Sequence, residues 1–481
     1  MKKCCVFIGS EFVGLYMSLG KLLQSYYDVT FVVNNKITQN IVFKNIPKAK
    51  TIVFNDVKVP DMDDDTVIKE SLRLEKLYEK KMSLIMSEDR ALGRGYLFNI
   101  MAAPFIKRSI WSHEKKLKEI VSKILRDEIV YSDCDLVLKV NSDSIIHSIL
   151  SRRGGKILSL FSIKHGDKIY WCDDHYLFGS NFRDRILRNV NSNERIKSGN
   201  KNIAYQIDER ANIKNISANY SYSHAIKQSL LLVINEIKVT IRRSRKKNSY
   251  LILGWLPSIF RSPYNYNYLN KIGKNPEDLS KYKIFFFPMH LEPEVALLSR
   301  SPEFSNSMEL ITWISKSLPA DAILVCKEQP LTFGVRQKKY YSQVNMIGNV
   351  YWSNPNVHSW DWIKLSSAVV TITGTVGIEA IHHKKPVISF GAHQAINLLP
   401  TVRYVDSYQT TKDSVDYFLN DVDKYDNLLD ESKFILADAQ QFVSFDFPEY
   451  KSIVKSQNLY DDYADTLLNK MFESYPDLVE H

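Results

Sequence analysis

Glycine is scarce in this sequence, 17 of 481 residues. No internal period and no low-complexity tract runs through it, which excludes repeat arrays and flexible Gly-rich linkers. Cysteine is sparse too: there are five, with Cys4 and Cys5 adjacent and no C-x-x-C pair. That excludes a disulfide framework or a cysteine zinc site and points to a reducing cytoplasm. No stretch approaches the roughly 18–20 apolar residues of a membrane span, and the apolar run from Cys4 to Ile8 is too short for a signal peptide. The expected location is therefore cytoplasmic, either soluble or peripheral on a membrane face. The spacings G-x-G-x-x-G and G-x-x-x-x-G-K-[ST] are also missing, so neither a Rossmann dehydrogenase nor a P-loop NTPase is supported.

What is present is an ordinary globular composition, 44% hydrophobic and 25% charged, in a chain too long for a single core. The formal charge of +10 favours anionic partners such as nucleotides, acidic glycans or an anionic membrane face. A merely basic, solubilising surface is the plainer alternative.

Short continuous apolar runs mark strands covered on both faces. They occur at residues 4–8, 29–33, 136–140, 157–161 and 169–171, with helical spacing from Phe12 to Leu23 between the first two. The N-terminal part, residues 1–248, is expected to be an α/β domain with a helical insertion at about 66–130. Residues 225–248 begin apolar and end Arg242-Arg243-Ser244-Arg245-Lys246-Lys247, an interdomain helix with a basic end; placement on a membrane surface is the alternative. A second strand–helix series, at 283–288, 322–326, 350–352, 368–373 and 385–390, makes residues 249–410 a second doubly wound α/β domain. Residues 411–481 are polar and helical and are expected to pack back across the domains.

The most informative segment is Val370-Thr371-Ile372-Thr373-Gly374-Thr375-Val376-Gly377-Ile378-Glu379-Ala380. A strand ends at Thr373 and a helix begins at Val376. Ligands of open parallel sheets bind where strands end and loop amides point outward. Gly374 lets the backbone approach a phosphate without a Cβ. Thr375 is placed to cap the helix and donate to a phosphate, and Glu379 to meet a ribose or the positive helix end. A tight strand-to-helix turn that binds nothing is the plain alternative.

This block, followed by Lys384-Lys385-Pro386-Val387 and Gly391, resembles the C-terminal signature of capsule polysaccharide synthesis proteins, which include retaining Kdo transferases. Looser matches follow the family's order. Cys172 to Ser180 resembles its Glu-Asp-Gly-Phe-Leu-Arg-Ser stretch, with His175 and Phe178 in place of Gly and Arg. Phe287 to Glu294 stands at its acidic strand-to-loop segment. Lys327-Glu328-Gln329-Pro330 stands at its Lys-x-His-Pro motif, with Gln329 in place of His. The resemblance, spanning about 130–400, implies a GT-B-type glycosyltransferase, two Rossmann-like domains facing a cleft. It also implies Asp174 as catalytic carboxylate and Lys327, Gln329, Thr373, Gly374, Thr375, Gly377 and Glu379 around a nucleotide-sugar donor. A CMP-linked acidic sugar is favoured, with UDP and GDP open.

Asp173 and Asp174 follow the strand at 169–171, whose end is expected to carry them into the cleft. His290, Glu292 and Glu294 follow the strand at 283–288 around Pro293, a rigid loop suited to acid/base work; a structural His290–Glu292 pair is the alternative. Arg183, Arg185, Arg90 and Arg94 are weaker candidates for an anionic acceptor or sugar. Asp61-Met62-Asp63-Asp64-Asp65 and Asp133-Cys134-Asp135 have Asp-x-Asp spacing, yet the first reads as a solvated loop and the second precedes its strand; adjacent His382-His383 is a poor metal pair. No metal is expected to be required. The expected partners are the donor, a glycan or glycolipid acceptor, and peripheral contact with the inner membrane or an assembly complex, but no nucleic acid. A glycerol- or ribitol-phosphate transferase, a sugar-nucleotide epimerase and a non-catalytic binding partner are the competing readings.

Overall fold

The apolar runs become strands whose side chains are covered on both faces: Phe285, Phe286 and Phe287 are all fully buried. The protein is described by a computed structural model over residues 1–88, 111–141, 143–163, 167–176, 178–192, 220–241, 256–292, 295–304 and 306–479. These residues form two compact units. The first comprises 1–82, 113–192 and 437–479; the second comprises 83–88, 111–112 and 220–436.

In the first unit, β1 (Lys3–Ile8), β2 (Asp28–Val33), β3 (Lys50–Val53), β4 (Leu136–Leu138), β5 (Lys156–Ser162), β6 (Lys168–Cys172) and β13 (Phe445–Asp446) form one sheet in the order β13-β6-β5-β4-β1-β2-β3. Strands β1 to β5 are parallel, whereas β6 runs antiparallel to β5 and β13 antiparallel to β6. The second sheet contains β7 (Lys283–Pro288), β8 (Ala322–Lys327), β9 (Val350–Trp352), β10 (Ala368–Thr371), β11 (Val387–Ser389) and β12 (Val402–Tyr404). It is parallel throughout, in the order β12-β11-β10-β7-β8-β9. Both are doubly wound orders that reverse beside the first strand of the unit, so each unit is Rossmann-like. The reversal between β7 and β10 opens a crevice at the carboxyl ends of those strands.

Two boundaries differ from the sequence reading. Helix Tyr222–Ile241 packs on helix Leu256–Ile272 within the second unit, so residue 248 does not end the first. The chain passes from the second unit to the first inside helix Val422–Val443, since Leu436 counts with one and Ala437 with the other. Helix Asp461–Ser474 then buries Ala464, Leu467, Leu468 and Met471 against the first core. Trp171 Nε1 donates to the Leu467 carbonyl at 2.8 Å. Gly14 abuts this tail so closely that a Cβ there would lie 1.7 Å from the Asn458 carbonyl oxygen. All five cysteines are buried and free. Among the described residues no helix is long and apolar enough to cross a membrane.

Candidate functional site

Strand β10 ends at Thr371, and Ile372, Thr373 and Gly374 lead into helix Val376–His382. The turn is folded on itself: Gly374 N–H donates to Thr371 Oγ1 at 3.1 Å. His290, in the loop after β7, supports it from the other side of the strand reversal. Ile372 N–H donates to His290 Nε2 at 3.3 Å, so that nitrogen is an acceptor. A Cβ on Gly374 would stand 2.9 Å from His290 Cε1 and 3.3 Å from Thr371 Oγ1. Glycine is required here by the neighbouring imidazole. The loop expected from sequence to approach a ligand thus sits at the β7/β10 switch point, where open α/β sheets bind ligands.

His290 is itself held by a buried charge cluster. Arg336, fully buried, donates from Nη2 to the His290 carbonyl at 2.7 Å, contacts both Glu328 oxygens through Nη1, and ion-pairs with Glu292 Oε2 at 3.2 Å. Glu292 also accepts from the Ser307 N–H at 3.0 Å and from the Ser307 hydroxyl. Burial opposes the Arg336 charge, but Glu328 and Glu292 outweigh it and hold its pKa well above the ordinary value. Burial, reinforced by Arg336, pushes the His290 imidazole down to about 4, so it is neutral at pH 7. The expectation that His290 and Glu292 do acid/base work is corrected: one is a neutral loop support, the other half of a buried ion pair. They do not pair with each other either, because Arg336 takes Glu292. Glu294 lies outside the described residues.

Lys327, at the end of β8, is buried, and its Nζ donates to the Pro355 carbonyl at 3.3 Å. Burial lowers its pKa to about 8, with Glu328 and Asp361 opposing. It is buried rather than free at the surface, and with a pKa of about 8 the amine is still mostly protonated at pH 7. Between pH about 8 and its ordinary 10.5, the unfolded chain holds this proton and the folded protein does not. Stability accordingly rises with pH across that window, and below pH 8 the full cost of a buried ammonium is present. Lys327→Met is expected to stabilise the protein below pH 8 and to flatten that rise, as read by urea unfolding across the range. An unchanged slope would show that the amine is not the titrating group.

The remaining candidates divide. Thr373 is buried and its hydroxyl has no hydrogen-bond partner; neither has the amide nitrogen of buried Gln394, which follows β11. Both donors stand in the segments that follow neighbouring strands, β10 and β11. Glu379 accepts from the Trp360 indole N–H at 3.1 Å, which brings a half-buried aromatic ring to the start of this helix. Thr375 makes no side-chain cap, since its backbone is already helical; the capping expectation is corrected. Gly377 is a packing position: a Cβ there would meet Ile396 Cδ1 at 2.6 Å and Thr371 Cγ2 at 3.2 Å. Gln329 is exposed and begins the short helical turn Pro330–Thr332.

Asp173 and Asp174 are placed elsewhere. Because β6 runs antiparallel to β5, its carboxyl end lies with the amino ends of the parallel strands of its own sheet. Both side chains hold the turn into helix Ser180–Asn191. Asp174 accepts from the Phe178 and Gly179 N–H groups at 3.1 and 2.9 Å, and Asp173 from the Ser180 N–H and hydroxyl at 2.7 and 2.5 Å. The two carboxylates expected at a cleft are thus engaged in holding this turn. Nearby, burial lowers the His147 pKa while Asp174 and Asp173 oppose it; the His147 and His175 rings lie 5.1 Å apart. Arg185 is committed to Asp438 at 2.6 Å. In the acidic run, Asp61 pairs with Lys118 at 2.6 Å and Asp63 caps helix Asp64–Tyr78. Among the described residues, no three His, Cys, Asp or Glu side chains gather as a metal site.

Sequence reasoning missed Arg336, Glu328, Gln394 and Trp360. Only Trp360 carried a signal, an aromatic residue shortly before the strand that leads to the glycine turn.

Residues 201–417, which include this site, match the family described as capsule polysaccharide biosynthesis protein. No curated protein matches the chain in sequence. Among solved structures, the chain is similar to Anabaena Alr3699/HepE in complex with UDP (10% identity, 98% of this chain and 100% of that one covered, TM-score 0.32). It is also similar to the glycotransferase of kitacinnamycin (10%, 98% and 100%, 0.28) and to UDP-GlcNAc 2-epimerase from Neisseria meningitidis bound to UDP-GlcNAc (11%, 92% and 98%, 0.26). The fold assignment rests on the two strand orders above.

Proposed function

We propose that the second unit binds a nucleotide-linked sugar through its phosphate at the Gly374 loop, and that the protein transfers this sugar during surface polysaccharide biosynthesis. The observation that carries this reading is the position of the loop at the β7/β10 switch point, closed by His290 and flanked by the unpaired Thr373 and Gln394 donors. Preorganised donors that face a leaving phosphate stabilise the charge it develops. The family match over residues 201–417 supports the polysaccharide context. A CMP-linked acidic sugar remains the first donor to test, then UDP- and GDP-sugars, with a glycan or glycolipid acceptor and no divalent cation.

A second reading, a nucleotide-binding assembly partner without catalysis, is favoured by one observation. Asp173, Asp174, His290 and Glu292 are all engaged in structural contacts. Nucleotide release from a panel of CMP-, UDP- and GDP-sugars, with and without a glycan acceptor and with EDTA, separates the two. Transfer predicts acceptor-dependent release that persists in EDTA. Release that stops with EDTA and returns with manganese would overturn metal independence, and binding without release would establish the second reading.

A further inference from the structure

Cys5 and Cys134 are far apart in sequence and come together near the amino edge of the first sheet. Successive residues of a strand point to opposite faces. Along β1, Cys4, Val6 and Ile8 enter the first core, and Cys5 turns to the other face. There its sulfur stands 3.0 Å from that of Cys134, and the two thiols reach the Val130 carbonyl at 3.9 and 3.6 Å. Cys134 sits in the turn between helix His113–Tyr131 and β4, where its N–H donates to the Tyr131 carbonyl at 3.0 Å. That turn is stitched to the start of β1. Asp135 N–H donates to the Lys3 carbonyl at 2.9 Å, and Lys3 N–H donates to Asp135 Oδ2 at 2.7 Å. The backbone beside both thiols is thus fixed. A disulfide holds its sulfurs about 2.0 Å apart, so the pair has to close by only about 1 Å.

We propose that Cys5 and Cys134 form a reversible redox site, a thiol pair that a peroxide oxidises to a disulfide tying β1 to the turn before β4. The other cysteines are placed differently. Cys4 faces the opposite side of the strand, the Cys172 thiol meets the Asp174 carbonyl at 3.7 Å, and Cys326 belongs to the second unit. Cys134 is also the most exposed of the five, at 6% against 4% for Cys5, 1% for Cys4 and none for Cys172 and Cys326. The hydrogen bond from Cys5 lowers the Cys134 pKa against burial and Asp135, and the same contact raises that of Cys5. Cys134 therefore ionises first and is the thiol that meets the oxidant. Its thiolate attacks one peroxide oxygen and breaks the O–O bond. Cys134 becomes a sulfenic acid, and the other oxygen takes up a proton and leaves as water. The Cys5 sulfur then attacks the Cys134 sulfur, and the sulfenic oxygen leaves with the Cys5 proton as a second water. Two electrons pass from the sulfurs to the peroxide, and a thiol reductant returns them. The bond joins residues 129 apart and so restricts the unfolded chain. The pair lies in the first unit and the Gly374 loop in the second, so its oxidation is independent of which nucleotide that loop takes.

The test is thiol titration in denaturant after the native full chain has been treated with near-stoichiometric hydrogen peroxide. Wild type is expected to fall from five free thiols to three, since two are consumed, with a mass lower by two hydrogen atoms. Dithiothreitol should restore all five. The oxidised protein should stay monomeric on a non-reducing gel and melt roughly 4–16 °C higher than the reduced form. Cys4→Ala should also lose two thiols, which assigns the bond to Cys5 rather than to its neighbour. Cys5→Ala and Cys134→Ala should slow reversible thiol loss by at least about tenfold. Circular dichroism confirms that the variants fold, and the wild-type count and mass stand without them. Retention of five thiols by wild type, a disulfide-linked dimer, or equal thiol loss in Cys5→Ala would overturn the proposal. So would a gain of oxygen atoms without a crosslink.

Discussion

Arg336→Met is expected to destabilise the protein by about 3–5 kcal/mol and to lower its melting temperature by roughly 6–20 °C. The guanidinium is fully buried between Glu292 and Glu328, and methionine restores the volume but not the charge. Two carboxylates would then be left in a low-dielectric interior without a cation, which costs more than the pair ever contributed. The loss should reach the Gly374 loop too. Arg336 holds the His290 carbonyl, and His290 holds the Ile372 N–H. Combining Arg336→Met with Glu292→Gln and Glu328→Gln should recover much of the stability, because no charge is then left unpaired. Urea unfolding of the single and triple variants measures both quantities. A single variant within about 1 kcal/mol of wild type would mean that the cluster does not organise this part of the fold.

Gly374→Val is expected to weaken nucleotide affinity on the order of 100-fold, about 2.7 kcal/mol, while leaving the fold largely intact. The added Cβ lies inside contact distance of His290 Cε1 and close to Thr371 Oγ1, and valine's second methyl group leaves the turn little freedom. The loop must therefore move away from the imidazole, breaking the Ile372-to-His290 hydrogen bond. Overpacking of this sort costs about 1–3 kcal/mol locally, which a unit of this size tolerates. Gly374→Ala should fall between the two. A thermal-shift panel of CMP-, CDP-, UDP- and GDP-linked compounds reads the effect as loss of ligand-induced stabilisation. Equal stabilisation of wild type and Gly374→Val would remove the loop from the binding site.

The parts of the fold written in local sequence were legible. Runs such as Ile284-Phe285-Phe286-Phe287 have no polar break, so they had to be strands covered on both faces. The turn Thr373-Gly374-Thr375 fell between such a strand and a helical pattern. The direction of β6 was legible in principle. Only five residues separate Ser162 from Lys168, too few for the crossover that a parallel strand requires. Read so, β6 carries Asp173 and Asp174 to the amino edge of its sheet's parallel strands. The charge cluster was not legible at all. Glu292 follows β7, whereas Glu328 and Arg336 both lie in the segment after β8, and the two segments meet only when those strands have paired. Nothing in the local pattern around Arg336 distinguishes a buried arginine from an exposed one. Gly377 misled for a related reason, since a glycine needed for close packing on Ile396 looks in sequence like one needed for a phosphate.

Amide hydrogen exchange of the full chain, with and without saturating nucleotide, tests the central claim most directly. Binding at the switch point predicts slowed exchange in peptides covering residues 370–380, with a smaller effect at residues 286–292, where His290 meets the loop. Nucleotide-dependent protection confined to other segments, or no change at residues 370–380 under saturating nucleotide, would contradict it.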